Sequence, residues 1–123
     1  MRELTSHKVN GCNEEITVTV MDEPGHGGAC HKYSIRWKNM RDQTEPHCYV
    51  GFQNGPIAEV STNGVTHEAL LAIVIDRLQG FQQGPYKCRE NAIVLTKLEE
   101  AVHWLNHRTV ARQARGVEGT HEV

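Results

Sequence analysis

Sequence signatures of several enzyme classes are absent from this chain. It has no GxSxG nucleophile motif, no HExxH zinc motif and no phosphate-binding glycine loop, so catalysis of these kinds has no support. Its four cysteines form no CxxC pair, and the opening MRELTSHKVN lacks the apolar segment of a secretion signal. We therefore expect reduced cysteines in a cytoplasmic protein. No apolar run approaches the roughly 18–20 residues of a membrane span, so no membrane partner is expected.

A broad excess of positive charge is also missing. The 123 residues carry a net charge of −2 and are 38% hydrophobic, which indicates a small folded protein rather than a disordered chain. Because non-specific nucleic-acid binders usually present a broad basic surface, nucleic acid is not an expected partner. Any anion-binding site in this chain must therefore be local.

Histidine is plentiful, with eight residues, but no metal site is predicted. The histidines and cysteines that cluster in the first half are His26, Cys30, His31, His47 and Cys48. Their spacing matches no structural zinc pattern. His103 and His107 lie four residues apart on a predicted helix, yet no third ligand accompanies them. The sequence therefore predicts neither a metal nor another cofactor.

Alternating apolar and polar residues predict a small antiparallel β-sheet in the first half of the chain. EEITVTV places Ile16, Val18 and Val20 on one face, ACHKYSIRW alternates in the same way, and CYVGF fits a third strand. Stretches rich in turn residues, such as MDEPGHGG and QNGPIAEVSTNG, separate or follow these strands. The predicted fold class is α+β, with an N-terminal β module in residues 1–64.

The second half, residues 65–123, is predicted to be a helical hairpin. Thr66 is a good N-cap for HEALLAIVIDRL, and this first helix ends around QGFQQG. Pro85 suits the first position of a second helix that runs to about Arg112 or Arg115. Because the connection is short, the two helices should pack antiparallel and form one compact domain with the β module.

Polar residues occupy both ends of the inward face of the second helix. A leucine and valine stripe with steps of three and four runs from Leu95 to Leu105. The same stepping continues back to Asn91 and forward to Thr109 and Arg112. An asparagine on such a stripe either bonds a neighbouring backbone group or offers a donor and an acceptor to a ligand such as an adenine edge.

The end of the second helix carries arginines on one face. Arg108, Arg112 and Arg115 are spaced at i, i+4 and i+7, with no acidic residue between Glu100 and Glu118. Basic residues at the C-terminal end of a helix can simply stabilise it by interacting with the helix dipole. Three guanidinium groups without a neighbouring acid can equally form one wall of a phosphate site.

A single aromatic residue stands at the end of the first helix. Phe81 is flanked by Gly80 and Gln82. It either caps the core between the helices, which is the usual fate of phenylalanine, or stacks on a base. Such base stacking is worth about 1–3 kcal/mol.

Long ordered runs of the second half resemble a known phage family. The runs are NGVTHEALLAIVIDRLQGFQ, CRENA, KLEEA and ARGVEGT. They make the stretch from Val65 to Thr120 similar to the C-terminal helical module of the phage Thoeris anti-defence protein 1 family. The related anti-CBASS protein 2 sponges share the hairpin but lack a sheet module. The strand-rich first half, which ends in GFQNGP, therefore favours the Thoeris family.

This resemblance implies a function that the residue patterns alone do not supply. Members of the family are sponges, not enzymes: they bind and hide cyclic ADP-ribose isomers, chiefly glycocyclic ADP-ribose, that bacterial TIR-domain proteins make during infection. The implied location is the cytoplasm of the infected host, and the implied assembly is a homodimer or a hexamer. Several members also bind the cyclic di- and trinucleotides of CBASS at separate sites.

The resemblance also implies which residues of this chain bind the ligand. The family's stacking aromatic matches Phe81, and its asparagine in the first turns of the second helix matches Asn91. The basic residues at the end of that helix match Arg108 and Arg112, and Arg115 is the third candidate. Asn91 and the first two arginines lie roughly 25–32 Å apart along a helix, at about 1.5 Å per residue. The site is therefore shared within a dimer, or there are two distinct sites.

A second cyclic nucleotide site is implied at Gly119 and Thr120 in the tail. The sequence departs from the family at two places near such a site. His121 follows Thr120 where arginine is expected in several relatives, and Ile57 follows the GP of FQNGP where a basic residue is expected. Both departures weigh against cyclic oligonucleotides and leave the ADP-ribose site untouched.

Three other functions stay open at this point. The chain could be a sponge mainly for cyclic oligonucleotides, or a small nucleic-acid-binding regulatory protein that uses the arginine helix on phosphates. It could also be an enzyme that acts on ADP-ribose compounds.

Overall fold

The computed structural model describes residues 1–123, which divide into two compact units. The first, the sheet unit, comprises Met1–Gly55 and Thr62–Gly64. The second, the hairpin unit, comprises Pro56–Ser61 and Val65–Val123. The hairpin unit therefore includes a segment that precedes the module boundary expected after residue 64.

Four antiparallel strands form the sheet unit in the order β1-β2-β3-β4. They are β1 (Arg2–Leu4), β2 (Ile16–Val20), β3 (Lys32–Trp37) and β4 (His47–Gly51). A one-turn helix, α1 (Gly11–Glu14), precedes β2. Strands β2, β3 and β4 confirm the three segments predicted from the sequence, and the α+β class is confirmed with them. The three residues of β1 are too few to show an alternating period, so this strand was not predicted.

The sheet unit has a small core centred on β2. Val20 is only 1% exposed and lies opposite Tyr33 of β3 in the strand register. The Tyr33 ring meets the Phe52 ring edge-on, with ring centroids 5.6 Å apart. Edge-to-face contact of this kind adds to the free energy gained from apolar burial, so the ring pair ties β3 to the residue that follows β4.

A carboxylate organises the loop between β2 and β3. The two oxygens of Asp22 accept the backbone N–H of His31 at 3.0 and 3.2 Å, and Oδ1 also accepts the N–H of Lys32 at 3.1 Å. Burial opposes the ionisation of Asp22, but these N–H groups and the nearby charge of His31 together lower its pKa below the ordinary value of 3.8. The loop is therefore held by the ionised carboxylate.

A close backbone approach at Gly64 closes the sheet unit. The Asn63 side chain accepts the N–H of Asn54 at 2.9 Å and donates to the Asn54 carbonyl at 2.8 Å. A Cβ atom at position 64 would collide with the backbone of Phe52 and Gln53. Glycine is required at this point because no side chain fits between the two segments.

Three helices make up the hairpin unit. They are α2 (Ile57–Val60), α3 (His67–Gln82) and α4 (Arg89–Ala114). The predicted N-cap is confirmed, since the Thr66 hydroxyl accepts the N–H of Ala69 at 3.1 Å. No helix in the chain has both the length and the apolar character needed to cross a membrane.

The prediction that Pro85 begins the second helix is wrong. Helix α4 begins at Arg89, with Cys88 as its N-cap. The N–H of Gln83 bonds the carbonyl of Gln79, and the N–H of Gly84 bonds the carbonyl of Phe81. These bonds satisfy carbonyls at the end of α3 and place Gln83 and Gly84 in its C-terminal turn. Pro85 therefore lies in the connection between the helices, not at the start of α4.

The inward face of α4 matches the stripe predicted from the sequence. Its less exposed positions are Asn91, Leu95, Leu98, Val102, Leu105, Thr109 and Arg112. No residue of α3 is buried, and Arg112 is the one buried residue of α4. The hairpin therefore leaves much of its apolar surface exposed to solvent.

We predict that Asp22→Asn lowers the free energy of unfolding at neutral pH and has less effect at acid pH. The folded pKa of Asp22 lies below the unfolded value of 3.8, so its contribution is present above that pH. It is lost as the pH falls through the folded pKa. Urea unfolding of the wild type and the variant should give free energies that converge as the pH is lowered from about 5. The control is Glu23→Gln, whose carboxylate makes no hydrogen bond. A constant wild-type-to-variant difference across this range would contradict the role of Asp22.

Candidate functional site

The turn between α3 and α4 is closed by the side chain of Gln82. Its Nε2 donates to the carbonyl of Cys88 at 3.1 Å, and its Oε1 accepts the N–H of Cys88 at 3.0 Å. Both hydrogen-bonding groups of one backbone residue are thereby bound by one carboxamide. This pair of bonds joins the last residue of α3 to the N-cap of α4, and it fixes the spacing between the two helix ends.

Asn91 lies in the first turn of α4, directly after this junction. Its backbone N–H donates to the Cys88 sulfur at 3.4 Å, which caps the helix. The Asn91 side chain is half-buried and makes no hydrogen bond with any residue of the chain. The prediction that Asn91 occupies the polar start of the inward face is confirmed. Its amide donors and carbonyl acceptor are available to a ligand.

Phe81 lies at the end of α3 within a cluster of ring contacts. Its half-buried ring meets Tyr86 edge-on, with centroids 6.3 Å apart. The guanidinium carbon of Arg77 lies 5.2 Å from the centre of the same ring. Arg77 was not among the residues predicted from the sequence. Its spacing of four residues from Phe81 was the available signal, because residues i and i+4 are neighbours on a helix.

At the other end of α4, Arg112 is bound by the chain's own tail. Its side chain donates to the carbonyls of Glu122, Val117 and Thr120 at 2.7, 2.9 and 3.2 Å. Its Nε lies 3.4 Å from a carboxylate oxygen of Glu118. Arg112 is 9% exposed. Its guanidinium thus serves as the centre around which the tail folds.

The other two arginines of the predicted stripe have different surroundings. Arg115 donates to the carbonyl of Val123 at 2.6 Å and is exposed. Arg108 is exposed and makes no hydrogen bond or ion pair in the chain. The three arginines are therefore not equivalent, and Arg108 has the freest donors of the three.

The tail itself turns back against α2. Gly116 and Gly119 have positive φ angles of 74° and 81°, which favour glycine. The carbonyl of Gly119 accepts the N–H of Ala58 at 2.8 Å. The hydroxyl of Thr120 donates to the carbonyl of Val117, and His121 Nδ1 lies 3.0 Å from a Glu59 oxygen. The polar groups of this turn are thus largely used within the chain.

The structure does not bring all the predicted site residues together in one protomer. Asn91 and Arg108 lie on the same unbroken helix of 26 residues. Their separation of 17 positions corresponds to roughly 25 Å at about 1.5 Å per residue. Phe81 and Asn91 mark one end of the hairpin, and the arginines mark the other. No group of three or more histidine, cysteine, aspartate or glutamate side chains is placed to hold a metal ion.

We predict that Arg112→Ala loosens the tail and lowers stability. The free energy of unfolding should fall by about 2 kcal/mol, because hydrogen bonds to a charged group contribute roughly 1.5–3 kcal/mol. Chemical denaturation measures the loss, and carboxypeptidase digestion measures release of the tail. Arg108→Ala is the matched control on the same helix and should change stability by less than about 0.5 kcal/mol. Equal effects of the two substitutions would contradict the structural role of Arg112.

We predict that Gln82→Ala weakens the junction between α3 and α4. Loss of two hydrogen bonds should lower the free energy of unfolding by about 1 kcal/mol, since exposed bonds of this kind contribute modestly. Amide hydrogen exchange at Cys88 and Asn91 should speed up. The neighbouring variant Gln83→Ala removes a side chain that makes no hydrogen bond and should leave exchange unchanged. Unaltered exchange in Gln82→Ala would refute the bridging role.

Comparison with known proteins places this arrangement in a family. A family model described as "Acb2/Tad1, hairpin domain" matches residues 44–110, a span that contains Phe81, Asn91 and Arg108. The protein "Thoeris anti-defense 1" of Bacillus phage SBSphiJ7 is 50% identical over 98 residues. That similarity covers 80% of this chain and 66% of the relative, so the chain spans just under two thirds of the relative's length. The chain belongs to the Acb2/Tad1 hairpin-domain family.

Proposed function

We propose that this chain is a phage anti-defence protein that sequesters a cyclic ADP-ribose signal without cleaving it. The observation that carries the proposal is that the half-buried Phe81 ring and the unbonded Asn91 side chain lie at the same end of the hairpin, where α3 ends and α4 begins. The relative from the Bacillus phage is named as an anti-defence protein of the Thoeris system, which supports the proposal. The protein would act in the cytoplasm of the infected bacterial host, where the signal is made.

The chemistry of the ligand suits these groups. A cyclic ADP-ribose isomer such as glycocyclic ADP-ribose offers an adenine, two riboses and a pyrophosphate. Phe81 supplies a π-face for the base, and Asn91 supplies a donor and an acceptor for its edge. Arg108 supplies an unpaired guanidinium for phosphate. All three are binding interactions, so retention of the intact ligand is the function they support best.

Arg112 and Arg115 take a second role in this proposal. Their guanidinium groups already bind carbonyl oxygens of the tail. Arg112 is buried and can reach a phosphate only by giving up its bonds, whereas Arg115 is exposed and uses one of its donor groups. We therefore propose that Arg112 holds the tail beside the site, that Arg115 supports the tail and keeps donors for a phosphate, and that Arg108 meets the ligand directly.

The separation of the two ends of α4 supports a homo-oligomer in this proposal, and two distinct sites are the alternative. An antiparallel second copy would bring its Arg108 to the Phe81 and Asn91 end of the first. The hairpin has apolar surface available for such packing, since Ile73, Trp104 and Val110 are 67%, 65% and 54% exposed. Burial of these side chains would favour a homodimer, or a hexamer built from dimers.

Cyclic di- and trinucleotides are the secondary ligands in this proposal. The implied second site at Gly119 and Thr120 coincides with a turn whose carbonyl and hydroxyl groups are bonded within the chain. His121 is paired with Glu59. A cyclic oligonucleotide would have to displace these interactions, so the ADP-ribose isomer is the preferred ligand.

The test of the proposal is isothermal titration with glycocyclic ADP-ribose, followed by recovery of the ligand after heating the complex. Intact ligand should be recovered. No binding, or a degraded product, would contradict sequestration, and preferential binding of cyclic trinucleotides would favour the alternative sponge. Salt-sensitive binding of DNA fragments would favour the regulatory alternative.

We predict that Phe81→Ala weakens binding of glycocyclic ADP-ribose by about 5-fold to 150-fold, because base stacking is worth about 1–3 kcal/mol. Asn91→Ala should weaken it by a smaller factor through loss of the edge contact. The matched aromatic control is Tyr49→Ala, an exposed residue of β4 in the other unit. If Phe81→Ala binds like the wild type, the ligand site has been placed wrongly.

A further inference from the structure

An unpaired guanidinium lies directly beside the proposed stacking residue. Arg77 is on α3, one helical turn before Phe81, and its guanidinium carbon is 5.2 Å from the ring centre. This distance is within the range of a cation–π contact. The Arg77 side chain is exposed, so solvent reaches it freely at the end of the hairpin that carries Phe81 and Asn91.

The hydrogen-bond donors of Arg77 have no partner in the chain. No carboxylate pairs with it, and no carbonyl or hydroxyl oxygen accepts from it, although Asp76 is its immediate neighbour in sequence. Arg112 differs sharply, because its donors bind three tail carbonyls and Glu118. The ring contact therefore holds the Arg77 guanidinium in place without consuming its capacity to bind an anion.

The position of Arg77 suits the layout of an adenine nucleotide. Such a molecule carries its phosphate one ribose away from its base. Because the Arg77 guanidinium lies over the Phe81 ring, a nucleotide whose base reaches this ring from its other side also meets a cation within the same protomer. A guanidinium also presents paired donors that match two phosphate oxygens.

From these observations we infer that Arg77 is a further ligand-binding residue, which pairs with the pyrophosphate of the nucleotide stacked on Phe81. This inference rests on the proposed function and adds a phosphate contact to it. Arg77 gives the adenine end of the site its own cation within one protomer. The arginine from a second copy then completes the neutralisation of the pyrophosphate rather than supplying all of it.

The experiment is titration of glycocyclic ADP-ribose into full-length Arg77→Gln at low and high salt. Glutamine keeps much of the aliphatic stem and removes the charge, so an exposed position should fold normally, which the melting temperature checks. The expected loss of affinity at low salt is about 10-fold, the scale of a charge-assisted contact. The wild-type and variant dissociation constants should converge as salt rises, because salt screens exposed charges.

Two control variants separate the possible outcomes. Arg41→Gln removes the same charge from an exposed loop of the sheet unit and should leave the dissociation constant unchanged. Phe81→Ala should keep a loss of affinity at high salt, because the stacking that it removes is not screened.

Three results would overturn the inference. Affinity equal to the wild type in Arg77→Gln, while Phe81→Ala binds weakly, removes the role of Arg77 alone. A loss in Arg77→Gln that does not change with salt would show that Arg77 acts by packing on Phe81 and not on phosphate. A wild-type chain that does not bind the ligand overturns the proposed function together with this inference.

Discussion

One unbroken helix keeps the two ends of the proposed ligand site apart. Helix α4 runs without interruption from Arg89 to Ala114, so Asn91 and Arg108 cannot approach each other in one protomer. The i to i+4 hydrogen bonds along its length make it a rigid spacer. Asn91 and Arg108 of the same protomer therefore cannot bind the same small ligand. A site that uses both ends of α4 therefore needs a second copy, whereas Arg77 of α3 lies next to Phe81 within one protomer.

The two ends of α4 are fixed by different kinds of interaction. At the start, the Gln82 carboxamide binds both backbone groups of Cys88, and no charge is involved. At the finish, the buried guanidinium of Arg112 gathers the tail by charge-assisted hydrogen bonds. A buried charge is stable only when its donors are satisfied, so the tail is a structural part of the hairpin unit. The first end of α4 is thus fixed by a neutral side chain, and the other by bonds from a charged side chain to the backbone of the tail.

Sequence periodicity predicted the regular elements well, and it failed where the outcome depends on contacts. Strands β2 to β4, the Thr66 cap and the inward face from Asn91 to Arg112 follow from local patterns. The start of α4 does not follow from local patterns, because hydrogen bonds within the turn place Pro85 before the helix. Burial of Arg112 by the tail could not be foreseen, since the partners are backbone carbonyls with no sequence signature. Arg77 was overlooked although its spacing of four residues from Phe81 is visible in the sequence, because that spacing alone does not show that the two side chains are in contact.

The most direct test of this account is a crystal structure of the assembled protein with glycocyclic ADP-ribose. The account predicts an intact ligand, with its adenine on the Phe81 ring, its base edge at Asn91, and its pyrophosphate between Arg77 and the Arg108 of a second copy. A cleaved ligand would contradict sequestration. An intact ligand bound only at the turn formed by Gly119 and Thr120 would contradict the placement of the site at the end of the hairpin.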